Sequence, residues 1–183
     1  NVPYNTCFDN DANNAAYAEI TDKQRNTIYL SLNDTVGGAT YINGRIYQGD
    51  HYKSAEFGHM IIVPNGKKCY CGKRGCLDSY CSARTLKRGG EGTLEQFFDD
   101  LKKGVPENQR IWDTYLEYLA LAVANLRMAY DCDIILGGNI GGNMEGHMHM
   151  FQEKLRKYNN FDYDASYIRL GRHKRECSAI GAA

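Results

Sequence analysis

Long apolar runs are missing from this sequence: no uninterrupted hydrophobic stretch in its 183 residues approaches the length that crosses a bilayer, which excludes a helical membrane span. A charge excess is missing too. Twenty-two basic residues balance twenty-two acidic ones, so the chain as a whole carries no field suited to nucleic acid or an anionic membrane surface. There is no internal repeat and no low-complexity segment, which sets aside solenoids and disordered linkers. Nor does the chain open on an initiator Met or an apolar leader. Asn1-Val2-Pro3 reads as the start of something cut from a longer protein or processed, and leaves open what lies upstream. The 43% hydrophobic and 24% charged content is ordinary for one globular domain, residues 1–183, with a cytoplasmic location expected.

Cysteine is not scarce. Seven are an odd number for a chain of this size, better explained by an intracellular metalloprotein than by a secreted disulfide scaffold. Three of them, Cys69, Cys71 and Cys76, lie on one short loop, with His59 ten residues upstream of the first. Three thiolates and one imidazole make a closed tetrahedral zinc set. Cys69 and Cys71 are too close in sequence to bridge comfortably, yet both can point at one ion, and Gly72 and Gly75 supply the positive φ that a tight knuckle needs. Three buried free thiols are the plainer alternative. The expected ligands are therefore His59, Cys69, Cys71 and Cys76, with Cys7, Cys81, Cys132 and Cys177 uninvolved, in a zinc knuckle spanning 59–81. Because a ligating imidazole has one nitrogen left over, and Glu56 and Asp78 stand close by in sequence, the knuckle can also meet vicinal hydroxyls. Lys67, Lys68, Lys73, Arg74, Arg84, Lys87 and Arg88 make the surrounding surface basic, read as a solvated loop.

The remaining segments alternate between strand and helix. Asp9-Asn10-Asp11 followed by an alanine-rich run predicts a helix from about residue 10, with Asp11 an N-cap or first-turn carboxylate. Residues 27–32 read as a strand, and Asn43-Gly44 between apolar runs predicts a hairpin. Gly37 and Gly38 suit either a bulge or a close approach to phosphate. Residues 60–63, Met-Ile-Ile-Val, predict a second strand ending at a Pro64-Asn65-Gly66 turn. Residues 88–92 read as a loop, and Thr93 with Gln96 as a capping box opening a short helix that Gly104-Val105-Pro106 ends. Apolar positions from Ile111 to Tyr130 recur at steps of three or four, predicting a long amphipathic helix over one face of a sheet. A strand at 133–136, a glycine loop at 137–142 and a helix over 144–158 complete an α/β unit, with ligands expected at the carboxyl end of its strand. His147 and His149, two apart, do not share a helix face and are read as unrelated to the metal. A strand at 167–170 and a small-residue helix from Ser178 close the chain.

Glu56-Phe57-Gly58-His59 coupled to Cys69-Tyr70-Cys71-Gly72-Lys73-Arg74-Gly75-Cys76-Leu77-Asp78 resembles the signature of the ROK family of bacterial sugar kinases and sugar-responsive repressors, with Asp78 where that pattern has Glu. Asn10-Asp11-Ala12-Asn13 matches the family's helix-opening segment, and the resemblance runs from there to the closing Gly-Ala-Ala. It implies an α/β fold, the carboxy-terminal lobe of an actin-like (ribonuclease H-like) sugar kinase or regulator. It also implies sugar binding by Asn10, Asp11, Glu56, His59 and Asp78, with Asp11 as general base if the protein is a kinase. Structural zinc is implied in either case, and ATP with Mg only in a kinase, whose nucleotide would lie near Gly37, Gly38, Gly137 and Gly138. Family kinases carry Gly-Thr-Gly where this chain reads Asn33-Asp34-Thr35, and the chain has neither the Asp-x-Gly-Gly-Thr phosphate loop of an amino-terminal lobe nor a recognisable helix-turn-helix. The expected function is the sugar-sensing and dimerising lobe of a transcriptional regulator, a homodimer or higher homo-oligomer that meets DNA only through a missing amino-terminal domain. The alternative is part of an ATP-dependent sugar kinase.

Overall fold

The computed structural model describes residues 9–20, 26–87, 92–162, 164–173 and 177–182. Cys7, residues 88–91 of the expected loop, and Ala183 lie outside them. Strands β1 (Asn26–Leu32), β2 (Val36–Ile42) and β3 (Arg45–Ile46) form an antiparallel meander, to which β4 (Asp133–Gly137) and β5 (Ile168–Leu170) add in parallel, giving a five-stranded sheet of order β3-β2-β1-β4-β5. The turn between β2 and β3 is the Asn43-Gly44 pair, both residues at positive φ as a tight hairpin between twisted strands requires.

Alternation along β1 explains why the sheet has helices on both sides. Ile28, Leu30 and Leu32 join the larger core, while Tyr29 between them joins a smaller one on the other face. The larger core is capped by α4 (Pro106–Tyr130), which starts five residues before the periodic stretch because Pro106 suits a first helical position, and ends at Asp131 in a left-handed cap. Trp112, Tyr115, Leu116, Leu119, Val123 and Leu126 are its buried stripe. α3 (Leu94–Lys102), opened by the Thr93/Gln96 capping box, packs Phe97 and Phe98 against the same cluster, and α6 (Met148–Leu155) adds Phe151 and Leu155.

The smaller core is made of short side chains. α1 (Asp11–Glu19) lays Ala15 and Ala16 against Tyr29, Ala39 and Ile135, and α7 (Cys177–Gly181) adds Cys177. Buried Glu19 then ties the two ends of the layer together, its carboxylate accepting from the N–H groups of Arg172 at 2.8 Å and His173 at 2.7 Å.

Three sequence expectations change. Residues 60–63 do not form a strand: Ile61 makes only an isolated bridge to Cys76, and the Ile62 and Val63 N–H groups both bond to the Gly75 carbonyl. The run has no neighbouring strand to extend; it forms one wall of the knuckle and lends Met60, Ile62 and Val63 to the edge of the larger core. Residues 137–142 are not a loop, since Gly137 ends β4 and Gly138 starts the single helical turn α5 (Gly138–Gly141), reached through a positive φ. The helix expected over 144–158 is shorter, with a 3-10 turn at Glu145–His147 before α6. In the knuckle itself the only regular helix is α2 (Asp78–Cys81).

Candidate functional site: a knuckle beside a polar cavity

Chain reversal at Gly66, Gly72 and Gly75 brings residues 59–77 into a tight fold. The Cys69 N–H bonds to Lys73 O at 2.8 Å, Gly75 N–H to Lys67 O at 2.8 Å, and Leu77 N–H to Met60 O at 2.8 Å. A Cβ on Gly75 would run into the Val63 carbonyl, so glycine is required there by space as well as by its positive φ. The result gathers His59, Cys69, Cys71 and Cys76, whose donor atoms all lie within 4.8 Å of one another. Sulfurs about 2.3 Å from a tetrahedral zinc would stand roughly 3.8 Å apart. Cys71 and Cys76 are separated by 3.7 Å, and His59 Nδ1 lies 3.9 Å from Cys69 Sγ, so these residues fit a four-coordinate ion. Burial and the neighbouring sulfurs push the Cys76 thiol up to about 12; three thiolates can share so small a space only with a cation to offset their charge. His147 packs its ring against Trp112, away from this cluster.

Next to the knuckle lies an open cavity of about 480 Å³. Its floor is the start of α1, Asp9, Asn10, Asp11 and Asn13, with the β2 segment from Thr35 to Gly38; its walls are Tyr47, Gln48, Tyr52, residues 54–56 and Tyr70. Asn10 is the N-cap, its side chain accepting from Ala12 N–H, and Asp11 follows in the first turn with one carboxylate oxygen on the same N–H at 2.8 Å. Local capping thus holds a carboxylate on the cavity lining, and Glu56 lines the same cavity. Gly38 leaves the room that the Phe57 ring and the Ala55 carbonyl take as they cross β2, which is its structural reason. Ala55 holds a left-handed φ of 62° immediately before Glu56, a local strain of the kind that positions functional side chains. No Lys, Arg or His lines this cavity among the described residues.

The structure brings together Asn10, Asp11 and Glu56, with Gly37 and Gly38 below them. His59 stands behind the wall: Tyr70 is the knuckle residue on the cavity surface, and its hydroxyl is 3.2 Å from His59 Nε2. Asp78 is buried, 3% exposed, and both of its oxygens are engaged. One accepts from Val36 N–H at 2.8 Å, the other from Arg84 at 2.7 Å, so this carboxylate joins the knuckle to β2. Arg84, read from the sequence as part of a solvated basic surface, is instead the partner of buried Asp78, and Tyr70 was not singled out; the one available signal was its position between two candidate ligands.

Gly137 and Gly138 belong to a different corner, the carboxyl ends of β1 and β4. There Asn33 Oδ1 accepts from Asn139 N–H at 2.8 Å, and Asp34 pairs with Lys87 at 3.2 Å along a second cavity of about 400 Å³. The Asn139 backbone donor is thus taken by a carboxamide, and Asp34, Glu95 and Lys87 line the same cavity.

The sequence model of the ROK family matches residues 1–183. An N-acetylmannosamine kinase of Vibrio cholerae is 28% identical over 156 residues, which are 80% of this chain and 54% of that kinase. The crystal structure of a ROK hexokinase from Thermus thermophilus superposes with a TM-score of 0.84 at 29% identity, covering 96% of this chain and 62% of that one. That of a ROK family transcriptional regulator, a homologue of the Escherichia coli MLC protein, gives 0.76 at 24% identity, covering 94% and 49%. The chain thus spans about half the length of the curated relatives it matches.

Proposed function

This chain belongs to the ROK family, and from that premise we propose that it is the carboxy-terminal, sugar-sensing lobe of a ROK transcriptional regulator. A hexose or hexose derivative binds against Asn10, Asp11 and Glu56, beside a structural zinc on His59, Cys69, Cys71 and Cys76. Neutral hydroxyls suit a cavity whose charged lining is entirely acidic, since each carboxylate accepts from O–H groups. Four protein ligands leave a zinc no open position, so it supplies shape rather than chemistry. The lobe assembles as a homodimer or higher oligomer in the cytoplasm and passes the sugar signal to a DNA-binding part outside these 183 residues. No described helix is long and apolar enough to cross a membrane.

The observation that carries the regulator reading over phosphotransfer is the Asn33 carboxamide on the Asn139 N–H, with Asp34 next to it, where family kinases have a Gly-Thr-Gly phosphate loop. Calorimetry of the full-length protein with N-acetylmannosamine and glucose is expected to give binding that Asp11→Asn and Glu56→Ala each weaken about tenfold or more, the effect of losing a charged acceptor. The same protein is expected to transfer no phosphate from ATP to either sugar; brisk turnover would sink the regulator reading.

A second reading, the sugar-binding part of a sugar kinase, draws on the kinase relatives and on Asp11, whose second carboxylate oxygen has no partner among the described residues. In that reading Asp11 would take the proton from the sugar hydroxyl as its oxygen bonds to the γ-phosphorus of ATP and ADP leaves, and Asn10 and Glu56 would hold the ring.

A further inference from the structure

We propose that the carboxy-terminal segment sets the position of α1 at the cavity, with Gly181 and Glu19 as positioning residues for Asn10 and Asp11. The inference rests on the sugar-binding reading above and deepens it. α1 is wedged between β2 and α7. Under its first turn a Cβ on Gly37 would stand 3.3 Å from that of Ala12, so the helix already rests on the cavity floor. Against α7 the fit is closer still: a Cβ on Gly181 would overlap the Asn14 carbonyl oxygen and come within 3.1 Å of Ala18 N, so only glycine lets the two helices meet there. Asn14 is one turn from the N-cap. Its N–H bonds to the Asn10 carbonyl at 3.0 Å, closing the turn that contains Asp11, so a shift of Asn14 carries both cavity residues with it.

The far end of α1 is tied to the same part of the chain. Glu19, its last residue, is 3% exposed, and its carboxylate accepts from the N–H groups of Arg172 at 2.8 Å and His173 at 2.7 Å. The Arg172 guanidinium reaches back to the Ala18 carbonyl at 3.3 Å and the Glu19 carbonyl at 3.4 Å, acceptors that a helix leaves open at its end. Between the two ends, the Cys177 thiol donates to the Ala15 carbonyl at 3.1 Å. The alanines of this layer offer little side-chain relief to stop a helix sliding, whereas directional bonds to a buried carboxylate fix it along its axis.

The test is calorimetry of the full-length protein with N-acetylmannosamine and with glucose, as wild type, Gly181→Ala, Glu19→Gln and Asp11→Asn, and with each of the first two combined with Asp11→Asn. Metal content and amide exchange of α4 are followed in every variant, because a general loss of structure would move them as well. Gly181→Ala is expected to weaken binding about tenfold, the worth of one charged hydrogen bond, with metal and α4 protection unchanged. Glu19→Gln should weaken it less, since its amide oxygen can still accept. In the Asp11→Asn background both should cost markedly less than they do alone, because the contact they position is already gone. Unchanged affinity in Gly181→Ala overturns the proposal, and so does a loss of the same size with and without Asp11→Asn. If Gly181→Ala loses metal or α4 protection, Glu19→Gln decides on the same criteria; such losses in both variants overturn the proposal, because the segment would then hold the fold and not the site. A wild type that binds neither sugar sinks the sugar-binding reading itself, and this inference with it.

Discussion

Between residues 59 and 81 the chain has one four-residue helix and two isolated bridges, whereas the sheet with α4 buries a continuous set of large side chains from Ile28 to Phe151. In the sheet region, stability comes from apolar area removed from water, and regular hydrogen bonding follows. The knuckle reverses that order. Its turns are set by glycines and short backbone bonds, and they gather His59, Cys69, Cys71 and Cys76 into one cluster. One region is specified by pattern and volume, the other by single residues that tolerate no substitute.

The widest separation of the two regions should come from Cys76→Ser. The variant is expected to lose essentially all bound metal by elemental analysis, and its amide hydrogen exchange at Cys69, Gly72 and Gly75 should rise to near that of an unfolded chain while α4 amides keep their protection. Equal loss of protection in both regions would mean that the knuckle and the sheet unfold as one. Trp112→Ala is the converse experiment. This indole is fully buried and stacked on Tyr115 at 5.0 Å, and its removal should cost about 3–5 kcal/mol in denaturant unfolding with metal content unchanged.

Asp78→Asn probes the seam. The amide oxygen can still accept from Val36 N–H, but the pair with half-exposed Arg84 is lost, so a penalty of about 1–2 kcal/mol is expected in the same unfolding assay. The smallest effect belongs to Glu117 on the outer face of α4. Its carboxyl is lowered to about 2 by the Tyr158 hydroxyl first, then by the Lys157 and Lys154 ammonium groups. A folded value below the unfolded one, near 4.3, contributes stability above that pH and loses it as pH falls toward 2. Glu117→Gln should therefore cost about 1 kcal/mol at pH 7, discounted for solvent screening, and nothing near pH 2.

The same contrast explains what the sequence could reveal. Periodicity and capping chemistry are local, so α4, the Thr93/Gln96 box and the Asn43-Gly44 hairpin were readable with nearly their observed bounds. The cluster of His59, Cys69, Cys71 and Cys76 was readable because ligand chemistry restricts residue type. Residues 60–63 were not, since β propensity is realised only beside a partner strand and Gly75 claims the N–H groups instead. The contacts of Asp78 and Tyr70 depend on tertiary placement: a carboxylate bonded to Val36, 42 residues back in the chain, and a phenol turned onto His59 cannot be read from local pattern, although both residues stand within the motif.

The bond from Val36 N–H to Asp78 joins the knuckle to the cavity. Val36 opens β2, and the next two residues, Gly37 and Gly38, are part of the cavity floor. A displacement of the knuckle would pull on the floor itself, and a ligand pressing on the floor would push back along the same route. The path from the knuckle to the cavity is thus a single peptide unit and one buried carboxylate long, with α2 seated on the long helix through Cys81 and Tyr80 on its other side.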